Sequence, residues 1–225
     1  KKPQAVHDFS PDFKNGERGD YKYIGKVEEA KDTQMACQKY IFFTDFSGGK
    51  IGISDIFKEN LNFMVKYCQD KNLFSKVKYI VEGGSERQYS IYNAIKKIED
   101  TDIVIIQDAA RPFLKDKYIE ESIKILDNDC DGAIIGVKCK DTVKIIDENG
   151  IVVETPNRNS LIMVHTPQTF KFEILKKAHQ IAEEKNILAT DDASLVEMIS
   201  GKIKIIYGDY DNIKITVQED LKFLK

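Results

Sequence analysis

The chain is poor in the residues from which metal knuckles and redox sites are built. It has four cysteines in 225 residues, Cys37, Cys68, Cys130 and Cys139, and none of them forms a C-x-x-C pair. Neither a zinc knuckle nor a thiol–disulfide motif is supported, and a reducing, cytoplasmic setting is expected. Its three histidines, His7, His165 and His179, are too scattered to suggest a histidine-based metal site. No apolar run approaches the ~20 residues of a membrane span, and no signal-peptide pattern opens the chain. Charge of one sign is also missing: 34 basic and 37 acidic residues leave −3 at neutral pH, with a pI near 5.8. That balance argues against a nucleic-acid binder. The opening Lys1-Lys2-Pro3 lacks an initiator Met, so the chain is expected to begin inside a longer product.

What is present is an ordinary globular composition, 42% hydrophobic and 32% charged. The length suits one large α/β domain over residues 1–225 with a well-buried core. The basic residues remain free to gather at an anionic-ligand site.

From residue 76 onward, short β-rich runs alternate with amphipathic helical segments, which predicts a mostly parallel twisted sheet flanked by helices. Strands are expected at Val77–Val81, Ile103–Ile106, Gly132–Val137, Thr142–Ile146, Ile151–Glu154, Lys202–Tyr207 and Asn212–Thr216. Helices are expected at about 86–98, 117–126, 171–185 and 192–199, with a last one from Val217. Asn149-Gly150 favours a hairpin turn between Thr142–Ile146 and Ile151–Glu154. The first 75 residues are less legible: Tyr40–Phe43 and Ile51–Ile53 read as strands and Asp55–Asn72 as a helix.

Three segments carry candidate chemistry. Ile103–Ile106 leads through Gln107 to Asp108, a carboxylate at the C-terminal end of a buried strand, where open α/β sheets bind ligands. Such a carboxylate can hold Mg²⁺ against nucleotide phosphates, or it can cap a loop beside Arg111 and Pro112; position alone does not choose. Gly83-Gly84-Ser85-Glu86-Arg87-Gln88 is a glycine turn feeding a helix, with Ser85 and Gln88 fitting a capping box. Arg87 and Ser90 share the first turn of that helix, whose N-terminus favours anions, although glycines before a capped helix are also common connectors. In Asn212–Thr216, alternation sets Lys214 opposite Ile213 and Ile215, and Thr216 with Glu219 fits a second capping box. Lys214 can stabilise phosphate charge, or simply face solvent.

Taken together these segments resemble one family. The runs 80–90, Gln107–Phe113, Lys140–Lys144, Arg158–Leu161, His165–Phe170, Thr190–Glu197 and Asn212–Thr216 follow in order and at the spacing of the methylerythritol-phosphate cytidylyltransferases, over residues ~75–223. The resemblance implies a Rossmann-like nucleotidyltransferase fold, with CMP passing from CTP to 2-C-methyl-D-erythritol 4-phosphate and pyrophosphate released. It implies that Gly83, Gly84, Arg87, Ser90, Asp108 and Ala109 bind the nucleotide, with Mg²⁺ on Asp108. Thr142, Lys144, Arg158 and Thr166 then surround the polyol phosphate, and Lys214 stabilises the pentacovalent phosphate. It further implies a β-arm at about 138–160 that swaps across a homodimer, so that Arg158 serves the neighbouring site. The ribitol 5-phosphate cytidylyltransferases are the nearest alternative; Lys144 and the full Thr-Asp-Asp-Ala-Ser-Leu-Val-Glu run favour methylerythritol phosphate. A catalytically inactive homologue that keeps the fold is the other alternative.

One departure is large. The family's N-terminal glycine-rich triphosphate loop, with its Arg and second Lys, has no counterpart in the chain beyond faint echoes at Gly16–Gly19 with Lys22 and Lys26, and at Ser47–Lys50. Smaller ones are Gln107 for the usual His, Lys138 for Pro and Ile162 for Trp.

Overall fold

The computed structural model describes residues 41–45, 50–56, 77–99, 101–108, 110–126, 128–216 and 218–224. Seven strands form one sheet: β1 (Ile41–Asp45), β2 (Lys50–Ile56), β3 (Val77–Glu82), β4 (Ile103–Asp108), β5 (Gly132–Lys138), β8 (Ile162–Lys171) and β9 (Ile203–Tyr207). Their order across the sheet is β3-β2-β1-β4-β8-β5-β9. A separate small ribbon pairs β6 (Ile145–Ile146) with β7 (Val152–Glu154). Among the described residues four α-helices accompany the sheet: α1 (Arg87–Ile95), α2 (Asp116–Leu126), α3 (Phe172–Glu184) and α4 (Asp192–Met198).

The expected mostly parallel sheet is a mixed one with a dominant direction. β2, β3, β4, β5 and β9 run one way, while β1 and β8 run against their neighbours. Each reversal has a covalent cause. Only residues 46–49 separate β1 from β2, too few for a parallel crossover, and β8 is the return limb of an excursion that leaves from β5. The shared direction brings the C-terminal ends of β3, β4, β5 and β9 to one edge, the side on which such sheets hold ligands.

Strand alternation divides the core. Val104, Ile106 and Ile134 pack with Ile91, Ile95, Phe172, Leu175 and Val196 on one face, whereas Ala133, Ile135 and Ile206 pack with Tyr118 of α2 on the other. Helices α1, α3 and α4 therefore cover one side and α2 the opposite one, an α/β/α layering.

Several expectations need correction. The strand read at Thr142–Ile146 shrinks to Ile145–Ile146, which leaves Thr142 and Lys144 outside any strand. Asn212–Thr216 forms no strand; it is an irregular segment fixed by bonds from elsewhere, and a 3₁₀ helix follows at Gln218–Leu224. The expected box of Thr216 with Glu219 moves by one residue, since Thr216 donates from N and Oγ1 to Asp220 Oδ2 at 2.9 and 3.1 Å. Asp55 and Ile56, read as a helix start, close β2. The rest of that expected helix, the Gly16–Lys26 echo and Ser47–Gly49 lie outside the described residues. The hairpin turn at Asn149-Gly150 is present: Gly150 has φ of 80°, and Asp147 Oδ1 accepts from Asn149 N and Ile151 N.

The capping box at Ser85–Gln88 does not form either. The N-cap of α1 is Glu86, without a side-chain cap bond. Gln88 turns away to bridge residues a hundred positions on: its Nε2 donates to Ile187 O at 2.9 Å and its Oε1 accepts from Ala189 N at 2.8 Å. A primary amide matches two successive peptide groups, so this one side chain fixes the loop that leads into α4. Gln88→Ala is expected to cost about 1–3 kcal/mol, because two partly buried backbone groups lose their partners. Urea unfolding measures that loss, and hydrogen exchange at Ala189 N–H should accelerate in the variant. Unchanged protection at Ala189 would contradict the bridge.

Candidate active site

Asp108 closes β4, whose preceding residues are almost wholly apolar and buried, so the strand carries its carboxylate to the sheet edge without freedom to move. Its backbone N–H does not meet a ladder carbonyl of β8 but donates to Thr166 Oγ1 at 3.0 Å. That substitution follows from an irregularity in β8. The register jumps from Ile134↔Gln168 to Ile135↔His165, leaving Thr166 and Pro167 as a bulge, with a cis peptide between them. Proline cannot donate to a ladder, so the bulge is where it fits, and Thr166 is re-aimed at Asp108.

Lys214 reaches the same carboxylate from an irregular segment that three bonds hold in place. Ile215 N donates to Ala110 O at 2.8 Å, Arg111 Nη1 donates to Asn212 O at 2.7 Å, and Asn212 Nδ2 donates to Thr166 O at 2.9 Å. Lys214 Nζ then lies 2.9 Å from Asp108 Oδ2. Gln107 Nε2 ties Asp108 O to Arg111 O, at 3.0 Å each, and so shapes the turn between them.

Arg87 enters from the first turn of α1. Its Nε and Nη2 approach Asp108 Oδ1 at 3.4 Å, and its Nη1 bonds Asp192 Oδ2 at 2.7 Å. Behind Asp192 stands His179, Nε2 to Oδ1 at 3.0 Å, its ring stacked on Tyr92. Ahead of Arg87, Gly84 lies against the helix: a Cβ there would meet Tyr89 Cβ at 2.4 Å and the Tyr89 carbonyl carbon at 2.9 Å. Only glycine allows that approach, which the Gly84 N–H uses to donate to Ser90 Oγ at 3.0 Å. Ser90 is fully buried and also bonds Glu86 O, so it braces the glycine turn.

The electrostatics follow from burial and charge together. Burial opposes ionisation of Asp108, but Arg87 and then Lys214 outweigh it and hold the carboxyl below the usual carboxylate range. Asp192 behaves alike, burial being overcome by Arg87 and His179. Arg87 is raised although burial works against its charge, because Asp192 and Asp108 flank it. Arg111, more desolvated than compensated, is lowered. The result is a row of alternating charge, Asp192–Arg87–Asp108–Lys214, at one edge of the sheet. It offers two cations for phosphate oxygens and one ionised oxygen donor set for a hard cation.

Of the residues singled out from sequence, Gly84, Arg87, Ser90, Asp108, Thr166 and Lys214 meet in this network. Gly83 adjoins it in the turn, and Ala109 lies outside the described residues. Thr142, Lys144 and Arg158 are exposed on the arm, where Lys144 Nζ donates to Thr155 Oγ1 at 2.8 Å and Arg158 Nη1 to Lys140 O at 2.7 Å. Sequence reading missed the roles of Asp192, His179, Gln107 and Asn212. A signal existed for the first: Asp191-Asp192 opens a helix, and Asp191 alone suffices as its cap by accepting from Ser194 N.

His165, just before the bulge, is pushed down to about 4 by burial and then by the Arg111 charge. As pH falls below the unfolded value of ~6.5, the unfolded state takes up this proton while the folded state does not, so stability declines between ~6.5 and ~4. Asp108 and Asp192 act lower: their folded values are depressed, so the stability they contribute is complete above ~4 and is lost as pH falls through those values. His165→Gln is therefore expected to lessen the stability loss between pH 7 and 4.5, by on the order of 1 kcal/mol. Urea midpoints across that range measure it; parallel curves for variant and wild type would refute the assignment.

Comparison with known proteins agrees with this geometry. Residues 63–224 match the family model "IspD: 2-C-methyl-D-erythritol 4-phosphate cytidylyltransferase". The enzyme of that name from Fusobacterium nucleatum is 94% identical over 168 residues, 75% of this chain and 73% of the relative. Its namesake in Clostridium acetobutylicum is 44% identical over 164 residues, 73% of this chain and 71% of the relative. Among solved structures, 4-diphosphocytidyl-2C-methyl-D-erythritol synthase from Anaerococcus prevotii superposes with a TM-score of 0.67 at 30% identity, covering 75% of this chain and 74% of the other. The Francisella tularensis cytidylyltransferase gives 0.60 at 31% identity, covering 66% and 70%. With its strand-end carboxylate, flanking cations and matched segments, the chain belongs to the 2-C-methyl-D-erythritol 4-phosphate cytidylyltransferase family.

Proposed function

We propose that the protein transfers CMP from CTP to 2-C-methyl-D-erythritol 4-phosphate, a step that makes an isoprenoid precursor, and that the Arg87–Asp108–Lys214 row is where it does so. The observation that carries this reading is Lys214 Nζ at 2.9 Å from a buried, ionised Asp108 at the ligand edge of the sheet. An oxygen of the substrate phosphate attacks the α-phosphorus of CTP in line. A new P–O–P bond forms, the bond from that phosphorus to the β-phosphate bridge breaks, and pyrophosphate leaves with the electron pair. Lys214 and Arg87 balance the charge that grows on the equatorial oxygens, and Thr166 fixes the Asp108 backbone.

The donor set fits Mg²⁺. Mg²⁺ favours one or two carboxylates and completes its shell with phosphate oxygens and water. Asp108 provides one such carboxylate, and the described residues hold no cluster of three or more His, Cys, Asp or Glu that would form an all-protein cage. When bound, the ion would neutralise phosphate charge at Asp108.

The arm supports a homodimer. Residues 141–155 are exposed throughout, yet they include Val143, Ile145, Ile146, Ile151, Val152 and Val153, an apolar surface that a second copy would cover. Thr142, Lys144 and Arg158 would then address the polyol phosphate, Arg158 in the neighbouring subunit's site. This reading takes residues 1–225 as one nucleotidyltransferase domain with the arm inserted at about 138–160. A cytoplasmic location accords with it; among the described residues no helix is long and apolar enough to cross a membrane.

Pyrophosphate release from CTP should be faster with methylerythritol 4-phosphate than with ribitol 5-phosphate. Lys214→Ala should lower kcat by ~10²–10³. Preference for ribitol phosphate, or a Lys214→Ala variant within threefold of wild type, would sink the assignment. Mixing Arg158→Ala with Asp108→Ala subunits should restore part of the activity, since one hybrid site keeps both residues. Verified heterodimers without activity would place Arg158 elsewhere.

A further inference from the structure

Asp192 is too deeply enclosed to touch any ligand. Its side chain is 1% exposed, against 28% for Arg87, and both its oxygens are engaged within the protein. A carboxylate only accepts, so His179 donates to it from Nε2, and the His179 ring is itself fixed by stacking on Tyr92 at 5.6 Å with 6° between planes. Three helices thus meet at one guanidinium: α3 supplies His179, α4 supplies Asp192 and α1 supplies Arg87.

The distances around Arg87 are unequal in an informative way. Charge-assisted N–H···O bonds normally close to about 2.7–2.9 Å, and guanidinium–carboxylate pairs tend to close on two bonds at once. The bond to Asp192 reaches 2.7 Å, whereas both contacts to Asp108 stop at 3.4 Å. Arg87 is bound from behind and only approached from in front. Without that rear hold, nothing would stop the fork from closing on Asp108 and cancelling the two charges that face the site.

We propose that Asp192, backed by His179, is a positioning residue that holds the Arg87 guanidinium off Asp108, so that both remain separately available to the nucleotide. The inference rests on the reading of Arg87 and Asp108 as nucleotide-site residues, and its test has one readout that does not depend on turnover. In the full chain, the side-chain Nε–H resonance of Arg87 is assigned by its loss in Arg87→Lys and followed by ¹⁵N NMR. Asp192→Asn is expected to shift that resonance and to speed rotation of the guanidinium. With MgCTP as varied substrate it should lower kcat/KM by about 10- to 100-fold, through a higher KM and a lower kcat together, since Arg87 is read as meeting the nucleotide both when bound and as charge grows. Introduced into Arg87→Lys, the same substitution should add less than twofold, because the fork it aligns is already gone.

A purely structural Asp192 would lower the unfolding midpoint while leaving KM for CTP and the Arg87 resonance unchanged, and that result overturns the proposal. If Asp192→Asn does not fold, His179→Leu decides, since it keeps the Arg87–Asp192 charge pair and removes the donor behind it. A shifted Arg87 resonance with a severalfold higher KM upholds the proposal, and no change in either overturns it. Should the wild type fail to turn over CTP, the function proposed above falls, while the Arg87 resonance still judges the hold by Asp192.

Discussion

An ionised carboxylate placed almost out of reach of water costs several kcal/mol unless fixed partners replace its hydration. Asp108 is such a group, and much of the sheet edge is arranged to keep it charged. The apolar run of β4 sets its position, the bulge in β8 brings a hydroxyl to its N–H, and two cations arrive from either side of it in the sequence, Arg87 and Lys214. Neither cation sits on regular sheet structure. Each is delivered by a loop or helix start whose own backbone has been tied down first, by Ser90 in one case and by Arg111, Asn212 and Ala110 in the other. Removing any one partner would leave charge uncompensated in a poorly solvated place, which makes the edge cooperative.

On the function proposed for this edge, the arrangement has a mechanistic advantage. Groups that are already oriented do not have to reorganise when charge develops on a phosphate, and such preorganisation is where electrostatic catalysis draws most of its effect. The same logic explains why partly exposed Arg111 and buried Gln107 are directed at backbone carbonyls. They fix the turn after Asp108 at a point where no strand neighbour is available.

What could be read from the sequence was whatever depends on neighbours in the chain. Ile103–Ile106 announced a strand buried on both faces, the period of residues 172–184 announced a helix, and Asn149-Gly150 announced a turn; all three are present. The family segments named six of the residues that meet in the charged network, Gly84, Arg87, Ser90, Asp108, Thr166 and Lys214. What could not be read depends on partners far away. Gln88 looked like a local cap because three-residue spacing is all a sequence displays, but its amide belongs to a loop a hundred residues on. Asn212–Thr216 alternates like a strand and is held instead by single bonds to β4 and β8. Pro167 concealed β8, the longest strand among the described residues, because proline inside a central strand is admissible only with the bulge that the structure reveals. Asp192 and His179 are thirteen residues apart, and nothing local marks them as a pair.

The arm leaves the sheet at the end of β5 and rejoins it at the start of the adjacent β8, and the bond from Cys139 N to Leu161 O closes its base at 3.3 Å. Two exits at neighbouring points of one rim make the insertion self-contained. Its length can drift by indels, each doubling costing only ~0.6 kcal/mol of closure entropy, without shifting the register of a single strand in the sheet. The exposed apolar residues of the arm are thereby free to diversify at a different tempo from those that set the charged edge of the sheet. Arm and charged edge, though carried on one chain, are separable objects for selection.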